Sequence, residues 1–239
     1  MMFLKVIVVV DDDHPVKDLD TLLDALDNKV VIDKDLIILE GMVADSLAHT
    51  SPWENIHDKL IIDATEPAVG DPVKKIENKG VNESLVISVS ALEGVIQSRM
   101  LGSSMMVITT ETEGGPKPEI SMEEPDEKLA RSQREKILKI IDSIWSLEAS
   151  KHLKWLFITD SDADLETDDW KRRLLWQLFC RFDVGRDLHF DEGRTRVAWD
   201  ATAPIPSTEG PLPVRRWPAV TLHDPDLVSQ VDAWLSERL

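Results

Sequence analysis

Short apolar runs alternate with helix-period stripes along this chain. Val6 to Val10 is unbroken, rich in β-branched residues and ended by Asp11-Asp12-Asp13, as expected of a strand covered on both faces. Leu19, Leu22, Leu23 and Leu26 follow at helical spacing, with Asp18 placed to cap the first turn. Leu36 to Leu39 and Leu60 to Ile62 read as two more strands, with Gly41 to Ile56 as the loop between them. Leu85 to Val89 alternates apolar residues with serine, the period of a half-buried strand, and Met105 to Thr109 reads as its partner. From Asp126 the pattern is helical, through Leu129, Ile137, Ile140, Ile141 and Ile144. Trp155 to Ile158 is a further strand. Asp168-Asp169 then opens a helix whose stripe is Trp170, Leu174, Leu175, Leu178 and Phe179. A turn-rich acidic passage, Asp183 to Gly193, leads to the strand Thr195 to Trp199, and Pro204 to Pro218 reads as extended. A closing helix has Asp224 as cap, Pro225 at its first position, and Leu227, Val228, Val231, Trp234 and Leu235 on one face. Strand and helix alternating on this scale predict an α/β fold built from βαβ units.

Part of this pattern occurs twice. Strand, acidic turn, amphipathic helix and an Asp-Ala-Thr-x-Pro closure run from Leu4 to Asp63-Ala64-Thr65-Glu66-Pro67, and again from Leu153 to Asp200-Ala201-Thr202-Ala203-Pro204. The copies differ in length between landmarks, so they read as a diverged duplication and not as a solenoid, which needs at least three regular units. The Gly- and Pro-containing charged stretch Glu66 to Asn82 is the expected junction, and Gly114 to Pro125 an exposed loop. The expected division is an incomplete first lobe, 1–80, and a complete second lobe, 81–239, related by a pseudo-twofold.

Charge narrows the partners. With 27 Lys plus Arg against 45 Asp plus Glu, the formal charge of −18 opposes nucleic acid and anionic membrane surfaces. No apolar run approaches the roughly 18–20 residues needed to span a bilayer, so a cytoplasmic protein is expected. A single cysteine, Cys180, fits a reducing compartment and reads as a buried core thiol. Tyrosine is absent, which excludes phenol-dependent chemistry.

Candidate chemistry is sparse. Asp160-x-Asp162-x-Asp164 opens like a calcium loop, but Leu165 stands where the loop needs Gly and Lys171 where it needs Glu. Asp160, Asp162, Asp11 and Asp13 are therefore weak metal candidates and better read as strand-ending residues. His49 and His57, near Glu54 and Asp58, match no zinc spacing. No Gly-x-Ser-x-Gly elbow or Gly-rich phosphate loop is present. The candidates for a cleft or interface are Asp63, Thr65, Asp200 and Thr202, with Arg215, Arg216 and Trp217 placed to bind a carboxylate or cover a neighbouring ring. The simpler reading of the two Asp-Ala-Thr turns is strand termination.

Taken in order, these landmarks resemble the C-terminal domain of the UbiD family of prenylated-flavin-dependent decarboxylases. The residues that carry the resemblance are Asp11-Asp12-Asp13, Ser51-Pro52, Lys59 to Thr65, Glu93-Gly94 and the helix through Trp145. They continue in the second copy with Asp160-Ser161-Asp162, Asp169-Trp170, Asp200-Ala201-Thr202, Arg215-Arg216-Trp217-Pro218 and Asp224-Pro225-Asp226. In that family a separate, preceding domain holds the flavin, the Glu-Arg-Glu network and the metal ligands. The resemblance therefore implies an accessory subunit with no cofactor or catalytic residue of its own. Prenylated FMN and a divalent metal are expected only in a flavin-bearing, UbiD-like partner chain, and a homo-oligomer is also expected. The alternative is a stand-alone enzyme or small-molecule binding protein that uses the cleft between the lobes.

Overall fold

The computed structural model describes residues 4–44, 49–67, 83–112, 124–210, 212–216 and 224–236. It is an α/β protein with two mixed sheets and helices packed on them. The chain begins with β1 (Val6–Val9), α1 (Leu19–Lys29), the one-turn helix α2 (Ile32–Asp35), β2 (Leu36–Val43) and β3 (Ile56–Asp63). These strands form a sheet in the order β1-β3-β2, with β1 parallel and β2 antiparallel to β3. Then come α3 (Glu83–Ser90), β4 (Gln97–Met100), β5 (Met105–Thr110), α4 (Glu127–Trp145), β6 (Trp155–Asp160), α5 (Trp170–Arg181), the one-turn helix α6 (Val184–Asp187), β7 (Leu188–Phe190), β8 (Val197–Asp200) and α7 (Pro225–Ser236). The second sheet has the order β4-β5-β6-β8-β7, with β5, β6 and β8 parallel and both edge strands antiparallel.

Period-two alternation splits each central strand between two cores. Met105, Val107, Trp155, Phe157, Val197 and Trp199 point into a core shared with Leu60 and Ile62 of the first sheet and with α1 and α5. Met106, Ile108, Leu156, Ile158 and Ala198 point the other way, onto Ile137, Ile140, Ile141 and Ile144 of α4 and Leu85 and Val89 of α3. Phe182 stacks on Trp199 in the shared core, ring centroids 4.8 Å apart.

Most expected elements are present, and the two expected caps act as read, Asp18 accepting from the Asp20 N–H and Asp224 from Asp226, while Asp126 also caps its helix by accepting from Leu129. Several expectations are corrected. The segment containing Leu85 to Val89 is a helix, not a strand: Leu85 and Val89, four apart, are its buried positions, and Ser88 bonds back to the Ser84 carbonyl. The antiparallel partner of β5 is therefore β4. Part of the expected Gly41 to Ile56 loop is strand, because β2 runs to Val43 through an irregularity between Leu39 and Met42. The acidic passage after Asp183 contains α6 and β7. On α5 the buried residues are Trp170, Leu174, Gln177 and Arg181, while Leu175 and Phe179 are exposed. Hydropathy selected the wrong edge of that stripe because Gln177 and Arg181 are drawn inward by polar partners. Cys180 is half-buried and not a core residue, and burial pushes its thiol upward. The junction residues 68–82, most of the 114–125 loop and Trp217 lie outside the described residues.

The two sheets are unequally covered. On the face of the first sheet opposite the buried Leu60 and Ile62, Val9 and Ile37 are exposed and Ile7, Leu39 and Ile61 half-buried, while Lys59 and His57 on the same face are buried. The corresponding face of the second sheet is covered by α3 and α4. Leu227, Val231, Trp234 and Leu235 of α7 are also exposed. Among the described residues no helix is long and apolar enough to cross a membrane.

Candidate functional site

Both strand-end regions are built by the same local rule. The Asp63 carboxylate accepts from the N–H and hydroxyl of Thr65 at 3.0 and 2.7 Å, and Asp200 does the same with Thr202 at 3.0 and 2.6 Å. Each Asp-Ala-Thr turn thereby satisfies its own backbone. The acid that ends each first strand is paired with the last basic residue of the following helix. Lys29 of α1 bonds Asp11 at 2.7 Å, and Arg181 of α5 bonds Asp160 at 2.6 Å and Asp162 at 2.9 Å. Asp11 also accepts from the Glu66 N–H, and Asp160 from the Ala203 N–H, three residues past each turn aspartate. Before the short helices, Asp35 accepts from the Val31 N–H and Asp187 from the Asp183 N–H, both at 2.7 Å.

Lysine contacts between the two sheets and their helices are reciprocal. Lys5, just before β1, donates to the carbonyls of Phe179 and Phe182 at the end of α5 and to the Thr50 hydroxyl. Lys154, just before β6, donates to the carbonyls of Asp27 and Val30 at the end of α1. Burial is the main cause that lowers both ammonium groups, Lys5 to about 8. Asp27 is buried and takes Ser103 and Ser104 as donors from both backbone and hydroxyl groups.

A cavity of about 260 Å³ lies in the second lobe, between the N-terminal half of α4, the α6–β7 junction, the end of β8 and the Pro204–Val214 segment. On one side Arg186 is buried and holds Asp187 through two nitrogens, at 2.6 and 2.7 Å. Beside them the Asp200 carboxyl is raised to about 7, chiefly by burial and then by the neighbouring Asp187 charge. His189 is lowered by burial, so its neutral form is favoured. Glu127 at the mouth is pulled to about 2 by bonds from the Ser207 hydroxyl and from Thr208. Pro204, Ile205, Leu212 and Val214 supply the apolar wall.

The structure brings Asp200 and Thr202 into this cavity, while Asp63 and Thr65 are not among the residues that line it. Arg215 instead bonds the Ser51 carbonyl at 3.0 Å, and Arg216 pairs with Glu124 at 2.5 Å. Asp11, Asp160 and Asp162 have cationic side chains as partners, and Asp13 is exposed. His57 is not in a loop but on β3, buried, with its imidazole lowered to about 4 mainly by burial. Sequence reasoning did not anticipate Lys5, Lys154, Arg186, Asp187, His189 and Arg134. The one available signal was a lysine immediately before each of the strands β1 and β6.

The sequence profile of the 3-octaprenyl-4-hydroxybenzoate carboxy-lyase C-terminal domain matches residues 1–64 and 120–210. Solved structures with similarity include the UbiD-class enzyme HmfF from Pelotomaculum thermopropionicum, at 25% identity over 32% of this chain and 18% of that one, with a TM-score of 0.28. The vanillic acid decarboxylase of Sedimentibacter hydroxybenzoicus in its open form aligns at 16% identity over 74% of this chain and 36% of that one, TM-score 0.37. Its closed form aligns at 15% over 64% and 30%, TM-score 0.38. The chain thus spans no more than 36% of the length of these solved chains.

Proposed function

Because this chain belongs to the UbiD C-terminal domain family, we propose that it is an accessory subunit that supplies architecture to a UbiD-type decarboxylase or carboxylase whose flavin and metal sit in a partner chain. The observation that carries this reading is the exposed apolar part of the first sheet, Val9 and Ile37 with the half-buried Ile7, Leu39 and Ile61 beside them. A face of this kind is covered by helices in the second lobe, so in the first lobe it is suited to an external surface of similar shape and polarity. The exposed stripe of α7 adds a second apolar contact.

The repeated contacts support a further part of the reading, that the two lobes are diverged copies packed as a dimer within one chain. The order β1-β3-β2 recurs as β6-β8-β7 with the same strand directions, and the reciprocal lysines are what a twofold would generate. The setting is a cytoplasmic complex.

The test is purification of the tagged chain from its native host under anaerobic, low-salt conditions, with light scattering and an absorbance spectrum of the product. A flavin-bearing chain in fixed stoichiometry, lost in an Ile37→Glu, Ile61→Glu variant that keeps its melting temperature, is the expected result. A colourless homo-oligomer with no second chain refutes the proposal.

A further inference from the structure

We propose that the cavity beneath α4 is a binding site for a small zwitterion, specifically a free α-amino acid with an apolar side chain. The argument starts from which charges around it are already engaged. Arg186 is held by Asp187, Arg131 pairs with Glu209 at 2.6 Å, and Glu127 is bonded by Ser207 and Thr208. Four polar groups of residues lining the same cavity have no hydrogen-bond or ion-pair partner among the described residues: the Arg134 guanidinium, the His189 ring, the second oxygen of Asp200 and the Gln133 Oε1. Arg134 is cationic and Asp200 becomes anionic once it ionises, and the two form no salt bridge with each other.

Such a separated pair suits a ligand that carries both charges. An ammonium group donates to the free Asp200 oxygen, and a carboxylate meets the Arg134 fork. Ile205, Leu212 and Val214 receive the side chain. A dianion is disfavoured by Asp187, Asp200 and Glu127 around the same space, and an amine alone leaves Arg134 unused. The volume, about 260 Å³, lies just below the usual range for ligand pockets of roughly 300–1,000 Å³ and limits the occupant to amino-acid size. This inference does not rest on the accessory-subunit reading, since the cavity is formed within the second lobe.

The experiment is calorimetric titration at pH 8, where Asp200 is ionised, of the whole 239-residue chain with L-phenylalanine, with 3-phenylpropanoate and phenethylamine as comparators that each lack one charge. Saturable binding of L-phenylalanine is expected, with each comparator at least about tenfold weaker, a difference of about 1.4 kcal/mol. Arg134→Ala, on an exposed part of α4, should weaken L-phenylalanine by about tenfold or more and leave phenethylamine unchanged. Asp200→Asn should reverse that selectivity, and circular dichroism checks that each variant is folded. The proposal is overturned by absence of heat at millimolar L-phenylalanine, by comparators that bind equally well, or by a folded Arg134→Ala protein with wild-type affinity.

Discussion

Replacing Lys5 with methionine tests whether the reciprocal lysines hold the first sheet to the end of α5 and the second sheet to the end of α1. Methionine keeps most of the side-chain volume and removes the donor to the Phe179 carbonyl at 2.9 Å, the Phe182 carbonyl at 3.0 Å and the Thr50 hydroxyl at 2.6 Å. A buried acceptor left without its donor costs about 1–3 kcal/mol, so the gross loss is about 5 kcal/mol. Against this, the buried ammonium is lowered from 10.5 to about 8, and at about 1.4 kcal/mol per unit methionine is spared about 3 kcal/mol of desolvation. The net destabilisation near neutral pH is therefore about 2 kcal/mol. The pH dependence follows from the same numbers. Between pH 8 and 10.5 the unfolded chain retains a proton that the folded chain has released, so wild-type stability rises across that window. Methionine removes the rise, and the gap between the proteins should widen to about 5 kcal/mol above it. Urea unfolding followed by tryptophan fluorescence at pH 7 and at pH 10.5 measures both values. A Lys5→Met protein as stable as wild type at both pH values refutes the reasoning, as does a gap that narrows with pH. Lys154→Met, which frees the Asp27 and Val30 carbonyls, should act in the same direction.

Two other expectations follow from local geometry. A Cβ at Gly102 would stand 2.5 Å from the Asp27 carboxylate, which is fixed by Ser103 and Ser104, so Gly102→Ala should lower stability by about 1–3 kcal/mol. Gly193→Ala, whose nearest neighbour is 3.7 Å away, should change it little, and thermal unfolding of the pair compares them. Asp200 is raised from 3.8 to about 7, so the folded form keeps a proton that the unfolded chain loses. Its stabilising contribution is complete below about pH 4 and disappears as pH rises through 7, a change on the order of 4 kcal/mol. Asp183, raised to about 6, contributes a slope of the same sign, so the measurement is the difference between wild type and Asp200→Asn in urea midpoints from pH 4 to 8.

Strands and caps were legible where one residue decides them. Asp18, Asp126 and Asp224 each precede a helical stripe, and each accepts a bond from the first turn. The Asp-Ala-Thr turns were legible for the same reason, since aspartate and threonine two residues apart close their bonds locally. The helix Glu83–Ser90 was missed because a short apolar run with serines fits either period, and only its packing under β4 and β5 selects the helix. The buried edge of α5 was missed because Gln177 and Arg181 are polar. Asp160 and Asp162 are the reason they are inside.

By itself, the sequence determined the α/β alternation, the position of most strands, the helix caps and the recurrence of a strand-helix-turn unit, all of which depend on neighbours within a few residues. The tertiary structure decided what long-range contacts decide. It carried Lys5 to the end of a helix 174 residues away, left Val9 and Ile37 of the first sheet exposed, and converged Arg134, His189 and Asp200 on one cavity. The physical reason is that a buried charge or an open apolar face is defined by what surrounds it, and those surroundings come from parts of the chain that no local pattern records.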